Sequence, residues 1–357
     1  MPDITLRLNK DMLVLSASQS ARLEEQGFDT EKDAPYLAFF ESDTLRDLLR
    51  MEILAGASCI VANTAALTPA RLKHLSCEDK AADFLQASLN ILEELHPQHT
   101  LVEIGPCGLP LDPASAASLN ENRSQYAHAA RLLSASRIDA IFLNGFLTCD
   151  DLKCALMGTR QVSDLPVFVS VNVRADGVLV SGRGTLTEAV GIMEEYGATV
   201  AGFEIAAPLP QVVELTKEVV QACGLPLLVQ LQVKEHCKKQ GKPTEANPYY
   251  CPDVMVEAAC ALRAAGVQFL RATGASSVAY TGALVAAVDG FDVVSPYIDS
   301  KKDAKKENTA DNALAGDAQT SVTQTGATTT NITANTTLDE IVSAARAEVA
   351  AAFKQGK

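Results

Sequence analysis

The chain has 357 residues, 47% of them hydrophobic, which suffices for one large core and is too much for a disordered chain, although length alone admits two domains. Its 44 acidic and 30 basic side chains leave a formal charge of −14, which argues against nucleic acid or an anionic membrane surface as partner. The nine cysteines follow no regular spacing and several sit in apolar stretches (Cys59, Cys223, Cys260), a usage that suits buried thiols in a reducing cytoplasm better than a disulfide framework.

In chain order, short β-branched or apolar runs alternate eight times with helix-like stretches. The runs are Met12–Ser16, Cys59–Asn63, Leu101–Gly105, Ala140–Asn144, Val167–Val173, Val200–Ile205, Pro226–Gln232 and Val267–Arg271. Amphipathic helices are predicted over Lys80–Leu95, Gln125–Ala135, Leu186–Tyr196, Leu209–Ala222, Val254–Ala265 and Ala283–Val288. Strands separated by helices of that length imply a parallel sheet, and eight such units over roughly 285 residues imply an α/β fold of the (β/α)8 TIM-barrel type. The barrel is expected to occupy residues 1–297. The start carries no basic region before an apolar core, and no apolar run approaches membrane-spanning length, so a cytoplasmic location is expected.

Composition changes after Tyr297. Residues 298–337 are lysine-rich and then dominated by Thr, Ala, Asn, Gly and Ser, which reads as a disordered linker. Acids then open a helical pattern over 338–357, in which Leu338, Ile341, Ala345, Val349 and Phe353 share a face. That helix would dock back on the barrel or bind a separate protein. The long segment Lys234–Cys251, after the seventh run, is either a lid or surface decoration.

In this barrel type ligands sit at the C-terminal ends of the strands, which selects Ser16, Asn63, Cys107, Asn144, Asn172, Glu204, Ile205, Gln232, Arg271 and Thr273. Asn63, Asn144, Asn172 and Gln232 would form a polar, uncharged ring able to orient a ligand without supplying a strong acid, base or nucleophile. Alternation sends Glu204 and Ile205 to opposite faces, so one of them faces the mouth. Glu204 and Arg271 would form a structural ion pair, or Arg271 would hold a carboxylate or phosphate. Cys107 has no histidine nearby in sequence and reads as a small buried hydrophobe. No Gly-x-x-x-x-Gly-Lys or helix-opening Gly-x-Gly-x-x-Gly string is present.

Several strings lie in order at the run ends: Val61-Ala62-Asn63-Thr64, Ile104-Gly105-Pro106-Cys107-Gly108, the stretch Val169–Gly182, and Ala201-Gly202-Phe203-Glu204-Ile205. Together they resemble the homocysteine S-methyltransferase family, the barrel of cobalamin-dependent methionine synthase and betaine–homocysteine methyltransferase. The resemblance covers about Met12 to Asp292. It implies a zinc ion held by three cysteines, one ending the sixth strand and two ending the eighth, which presents homocysteine as a thiolate. Here those positions are Ile205, Ala272 and Thr273. The family carboxylates that hold the homocysteine amino group fall on Ser16 and Asn144. This chain is therefore expected to be a divergent member in one-carbon metabolism, with zinc-thiolate transfer lost and any corrinoid cofactor supplied by a separate partner protein. The alternative is an inactive member that binds a ligand or stabilises a methyltransferase subunit through its C-terminal helix. A rebuilt Cys/His metal site from Cys107, His236, Cys237 and Cys251 is geometrically conceivable, but its spacing matches no standard zinc pattern.

Overall fold

The computed structural model describes residues 3–30, 32–235 and 243–294. Eight parallel strands occur in it: β1 (Leu13–Val14), β2 (Cys59–Ala62), β3 (His99–Ile104), β4 (Ala140–Phe146), β5 (Val167–Val173), β6 (Ala201–Ile205), β7 (Leu227–Val233) and β8 (Phe269–Gly274). They pair in the order β1-β8-β7-β6-β5-β4-β3-β2. The two end strands then meet through a parallel bridge, Leu15 with Cys59, and through backbone bonds from Ser58 N to Val14 O (2.9 Å) and Ser16 N to Cys59 O (2.8 Å). The sheet thus closes into a barrel with no free edge, as the alternating runs imply.

The two-residue period of a strand sorts each run into two faces. Leu13, Leu15, Cys59, Val61, Leu101, Phe142, Phe168, Leu228 and Phe269 form one cluster, the apolar filling of the barrel, and Ile4 from the 3-10 turn Ile4–Arg7 joins it. Within it Phe168 and Phe269 meet edge to face at 4.8 Å. The alternate residues, among them Val14, Ile60, Val102, Ile141, Val169, Ala201, Val229 and Leu270, belong to the larger cluster shared with the helices. Each fully buried Val, Leu, Ile or Phe among them contributes about 1.5–3 kcal/mol, so the two layers dominate the energetics of the fold.

Some element bounds differ from the sequence expectation for identifiable reasons. Helix Leu209–Ala222 falls where its apolar period places it. Helix Ala116–Leu132 begins well before Gln125, because Ser115 caps the Ser118 N–H and the polar first turns hide the apolar period. Helices Ala34–Phe40 and Ser42–Leu54 after β1, and Cys149–Arg160 after β4, fill places where the alternation implies a helix but the sequence reading set no bounds. Strand β8 runs on to Gly274 rather than stopping at Arg271, since Ala272 and Thr273 still pair with Leu231 and Gln232. At its end Gly274 has φ +66°, and a Cβ there would lie 2.4 Å from Val233 O. Residues 295–357, with the expected linker 298–337 and helix 338–357, lie outside the described residues, as do His236 and Cys237. Among the described residues no helix is long and apolar enough to cross a membrane.

Candidate ligand site at the barrel mouth

Two residues beyond the apolar filling, the inward side chains turn polar: Glu103 follows Leu101, Asn144 follows Phe142, Ser170 follows Phe168, Gln230 follows Leu228 and Arg271 follows Phe269. They bond to one another across the barrel. Arg271 Nη1 donates to Gln230 Oε1 (3.0 Å). Gln230 Nε2 donates to Asn144 Oδ1 (2.8 Å) and to Ser170 Oγ (2.7 Å). Asn144 Nδ2 donates to Glu103 Oε1 (2.8 Å), and Glu103 Oε2 faces Arg271 Nη2 at 3.8 Å. The circuit therefore runs β8, β7, β4, β3 and back to β8. Arg271 Nε also donates to the Ser16 carbonyl (2.9 Å), and its guanidinium lies 5.4 Å from the Phe142 ring centroid. A charge this deep is tolerable only when it is compensated, and here Arg271 has two hydrogen bonds and the facing carboxylate of Glu103.

Above the ring opens a cleft of about 920 Å³, within the range of small-molecule sites. Asn63, Asn172, Glu204, Gln232 and Thr273 line its inner end together with Glu103, Asn144 and Arg271. Its outer walls come from the segment after β1, including Ser18, Gln19, Glu24 and Phe28, and from Ala65, Ala66 and Arg71 after β2. Burial pushes the Glu204 carboxyl above the ordinary carboxylate range; Thr273, Arg271 and Gln232 pull it down, and the negative charge of Glu103 adds to the rise. Asn63 Nδ2, Asn172 Oδ1 and Thr273 Oγ1 are fully enclosed and make no hydrogen bond with the described residues. Thr273 lies close enough to Glu204 to favour its charged form, though without hydrogen-bond geometry.

The structure thus brings Asn63, Asn144, Asn172, Glu204, Gln232 and Arg271 to one cleft. Ser16 does not join them. Its hydroxyl accepts from Val61 N (3.0 Å) and its carbonyl holds Arg271, so it braces the barrel seam behind the site. Arg271 faces Glu103 at 3.8 Å rather than forming the ion pair with Glu204 that the sequence suggested. Cys107 also lies away from the cleft, 2% exposed, with its thiol donating to Asn122 Oδ1 (3.1 Å) and burial pushing its pKa up. Cys251 is partly buried and does not line the cleft either. Among the described residues no three His, Cys, Asp or Glu side chains gather as metal ligands. Tyr249, on the described part of the segment expected as lid or decoration, is a core residue whose carbonyl accepts from the Tyr280 hydroxyl at 3.2 Å.

The sequence reading missed Glu103, Ser170 and Gln230, the interior of the polar ring. The available signal was the face: each sits two residues after an inward apolar side chain and inside a run otherwise built of β-branched and apolar residues.

Comparison with known proteins agrees with this geometry. The family model described as homocysteine S-methyltransferase matches residues 13–278, well over half of the chain. The chain belongs to the homocysteine S-methyltransferase family. Among solved structures, the metallated form of the homocysteine methyltransferase MmuM from Escherichia coli superposes with a TM-score of 0.63 at 14% identity, covering 77% of this chain and 95% of that one. Its apo form gives 0.55 at 16% identity, with 78% and 96% covered. At these identities the likeness is one of fold. No curated protein sequence matches.

Family membership raises the question of zinc, and the residues at the three positions that the resemblance assigns to it do not fit it. Ile205 and Ala272 are apolar, buried, and packed in the outer layer against the helices rather than facing the cleft. Thr273 faces the cleft but offers one neutral hydroxyl, a poor ligand for zinc. The inward residue beside Ile205 is Glu204, as strand alternation requires.

Proposed function

We propose that this family member works in methyl-group metabolism on a small polar molecule bound at the barrel mouth, and that zinc-activated transfer to the homocysteine thiol is not its chemistry. The observation that carries this reading is the contrast at the strand ends. Three positions that the resemblance assigns to zinc hold Ile205, Ala272 and Thr273, while the cleft beside them keeps a bonded polar floor and unsatisfied hydrogen-bonding groups. A bound molecule that paired with Asn63 Nδ2 and Asn172 Oδ1, both enclosed without partners, would recover about 1–3 kcal/mol at each.

In this reading the residues divide the work. The Arg271–Gln230–Asn144–Glu103 ring holds the floor rigid. Asn63, Asn172 and Gln232 orient the bound molecule through hydrogen bonds, and Glu204, its pKa raised by burial, can hold or take up a proton above the ordinary carboxylate range. Any corrinoid group would reach the mouth on a separate partner protein.

The test has two arms. Incubation with L-homocysteine and sulfonium or betaine-type methyl donors, with and without added zinc, is expected to give no methionine. Zinc-dependent methionine formation would overturn the reading. In the second arm, methylated small molecules are screened for a rise in Tm, and a true ligand is expected to lose its effect in Asn63→Ala and Gln232→Ala.

A further inference from the structure

The carboxylates of this site stand on strands where the resemblance places none for substrate: Glu103 on β3 and Glu204 on β6. Glu103 is spoken for, bonded by Asn144 and facing Arg271. Glu204 makes no hydrogen bond or ion pair of that kind among the described residues, although Thr273, Arg271 and Gln232 lie close enough to favour its charged form. Its register neighbour on β5 is Asn172, whose enclosed Oδ1 makes no hydrogen bond, and Thr273, 4% exposed with Oγ1 also unbonded, lines the same end of the cleft. We propose that the inner end of the cleft binds the protonated primary amine of a small molecule, its ammonium seated on Glu204, Asn172 Oδ1 and Thr273 Oγ1, where the family resemblance would put a metal ion.

The inference rests on the reading of the cleft as a small-molecule site and names the class of molecule. An ammonium carries three donors and no acceptor, and these three side chains offer three acceptor groups. Other occupants fit less well. A quaternary ammonium has no donor and needs aromatic faces, whereas Phe28 is the one aromatic side chain among the described lining residues. An anion would meet the negative charges of Glu204 and Glu103, while Arg271 has Nε and Nη1 bonded to Ser16 O and Gln230 and turns Nη2 to Glu103 at 3.8 Å. A metal ion lacks a third His, Cys, Asp or Glu among the described residues.

Charge supplies a second, independent readout. Glu204 resists ionisation in the empty cleft because burial and Glu103 oppose it, and a bound ammonium would reverse that balance. Over the pH range in which burial keeps Glu204 protonated, binding of the amine releases a proton from it.

Three probes of one shape separate the cases: 3-(methylthio)propylamine, its N,N,N-trimethyl analogue, and 3-(methylthio)propanoate. Each is titrated calorimetrically into the full chain in two buffers of different ionisation enthalpy, at a series of pH values from the ordinary carboxylate range upward. The amine is expected to bind with proton release, and the other two are expected not to bind. Glu204→Gln should weaken the amine at least tenfold and abolish the proton release, and Asn172→Ala should weaken it by a smaller factor. Unchanged affinity in a folded Glu204→Gln chain, preference for the carboxylate or the quaternary probe, or no binding of the amine at millimolar concentration would overturn the proposal. Because binding is read without turnover or zinc, such a failure leaves the zinc-independent reading standing. Zinc-dependent methionine formation would remove that reading without any bearing on these titrations.

Discussion

Replacing Arg271 by Met keeps most of the aliphatic volume and deletes every N–H donor, so it isolates what the guanidinium does under the cleft. The structure fixes what is lost: the bond to Ser16 O at 2.9 Å, the bond to Gln230 Oε1 at 3.0 Å, and the charge 3.8 Å from Glu103 Oε2. Each buried acceptor left without a partner costs about 1–3 kcal/mol, and a buried carboxylate stripped of its cation about 3–5 kcal/mol. The Glu103 side chain is 17% exposed toward the cleft, so water reaches it and the losses do not add in full. The expected cost is about 3–5 kcal/mol of a total stability of about 5–15 kcal/mol. Urea unfolding followed by far-UV circular dichroism measures it. Adding Glu103→Gln in the Met background removes the stranded charge while keeping an acceptor for Asn144, and should regain about 1–2 kcal/mol. A loss below about 1 kcal/mol for the single variant, or no recovery in the double, would refute the claim that the ring carries a compensated buried charge.

Three further outcomes are expected. Burial raises the Glu204 pKa above the ordinary carboxylate range, so its contribution to stability is full below that ordinary value and is lost as pH rises through its raised one; Glu204→Gln should flatten this decline in urea midpoints, and parallel profiles would contradict it. Gly274→Ala should cost more than Gly27→Ala in the same unfolding assay: both have positive φ and share a backbone penalty of about 1–3 kcal/mol, but a Cβ at Gly274 also collides with Val233 O, while Gly27 has open space around it. Cys107 should react slowly with iodoacetamide in the native chain and rapidly once unfolded, since burial raises its pKa; fast native labelling at this residue, read by mass spectrometry, would mean that it reaches solvent.

The barrel was legible because its strands are short apolar runs in which every second residue fills the interior, and runs such as Val167–Val173 leave no alternative period. Legibility fell where polarity interrupted the pattern. The Arg-Ala-Thr-Gly end of β8 looks like a loop, yet its backbone continues to pair with β7, and helix Ala116–Leu132 opens on polar turns that only the Ser115 cap explains. At the site, strand-end residues such as Asn172 and Gln232 were found because position alone selects them. Glu103 and Gln230 were not, because inside an apolar run a single polar residue carries no sign of which partners cross the barrel to meet it. Ser16 shows the converse: its place at a strand end is as expected, but a nearby backbone N–H claims its hydroxyl, and no sequence pattern reports that.

The central claim is that the three positions at the ends of β6 and β8 no longer build a zinc site. Elemental analysis of zinc per chain, on untagged protein supplied with zinc and then dialysed, tests it most directly. The account predicts zinc far below one equivalent, unchanged in Glu204→Gln. About one tightly held zinc per chain would contradict it.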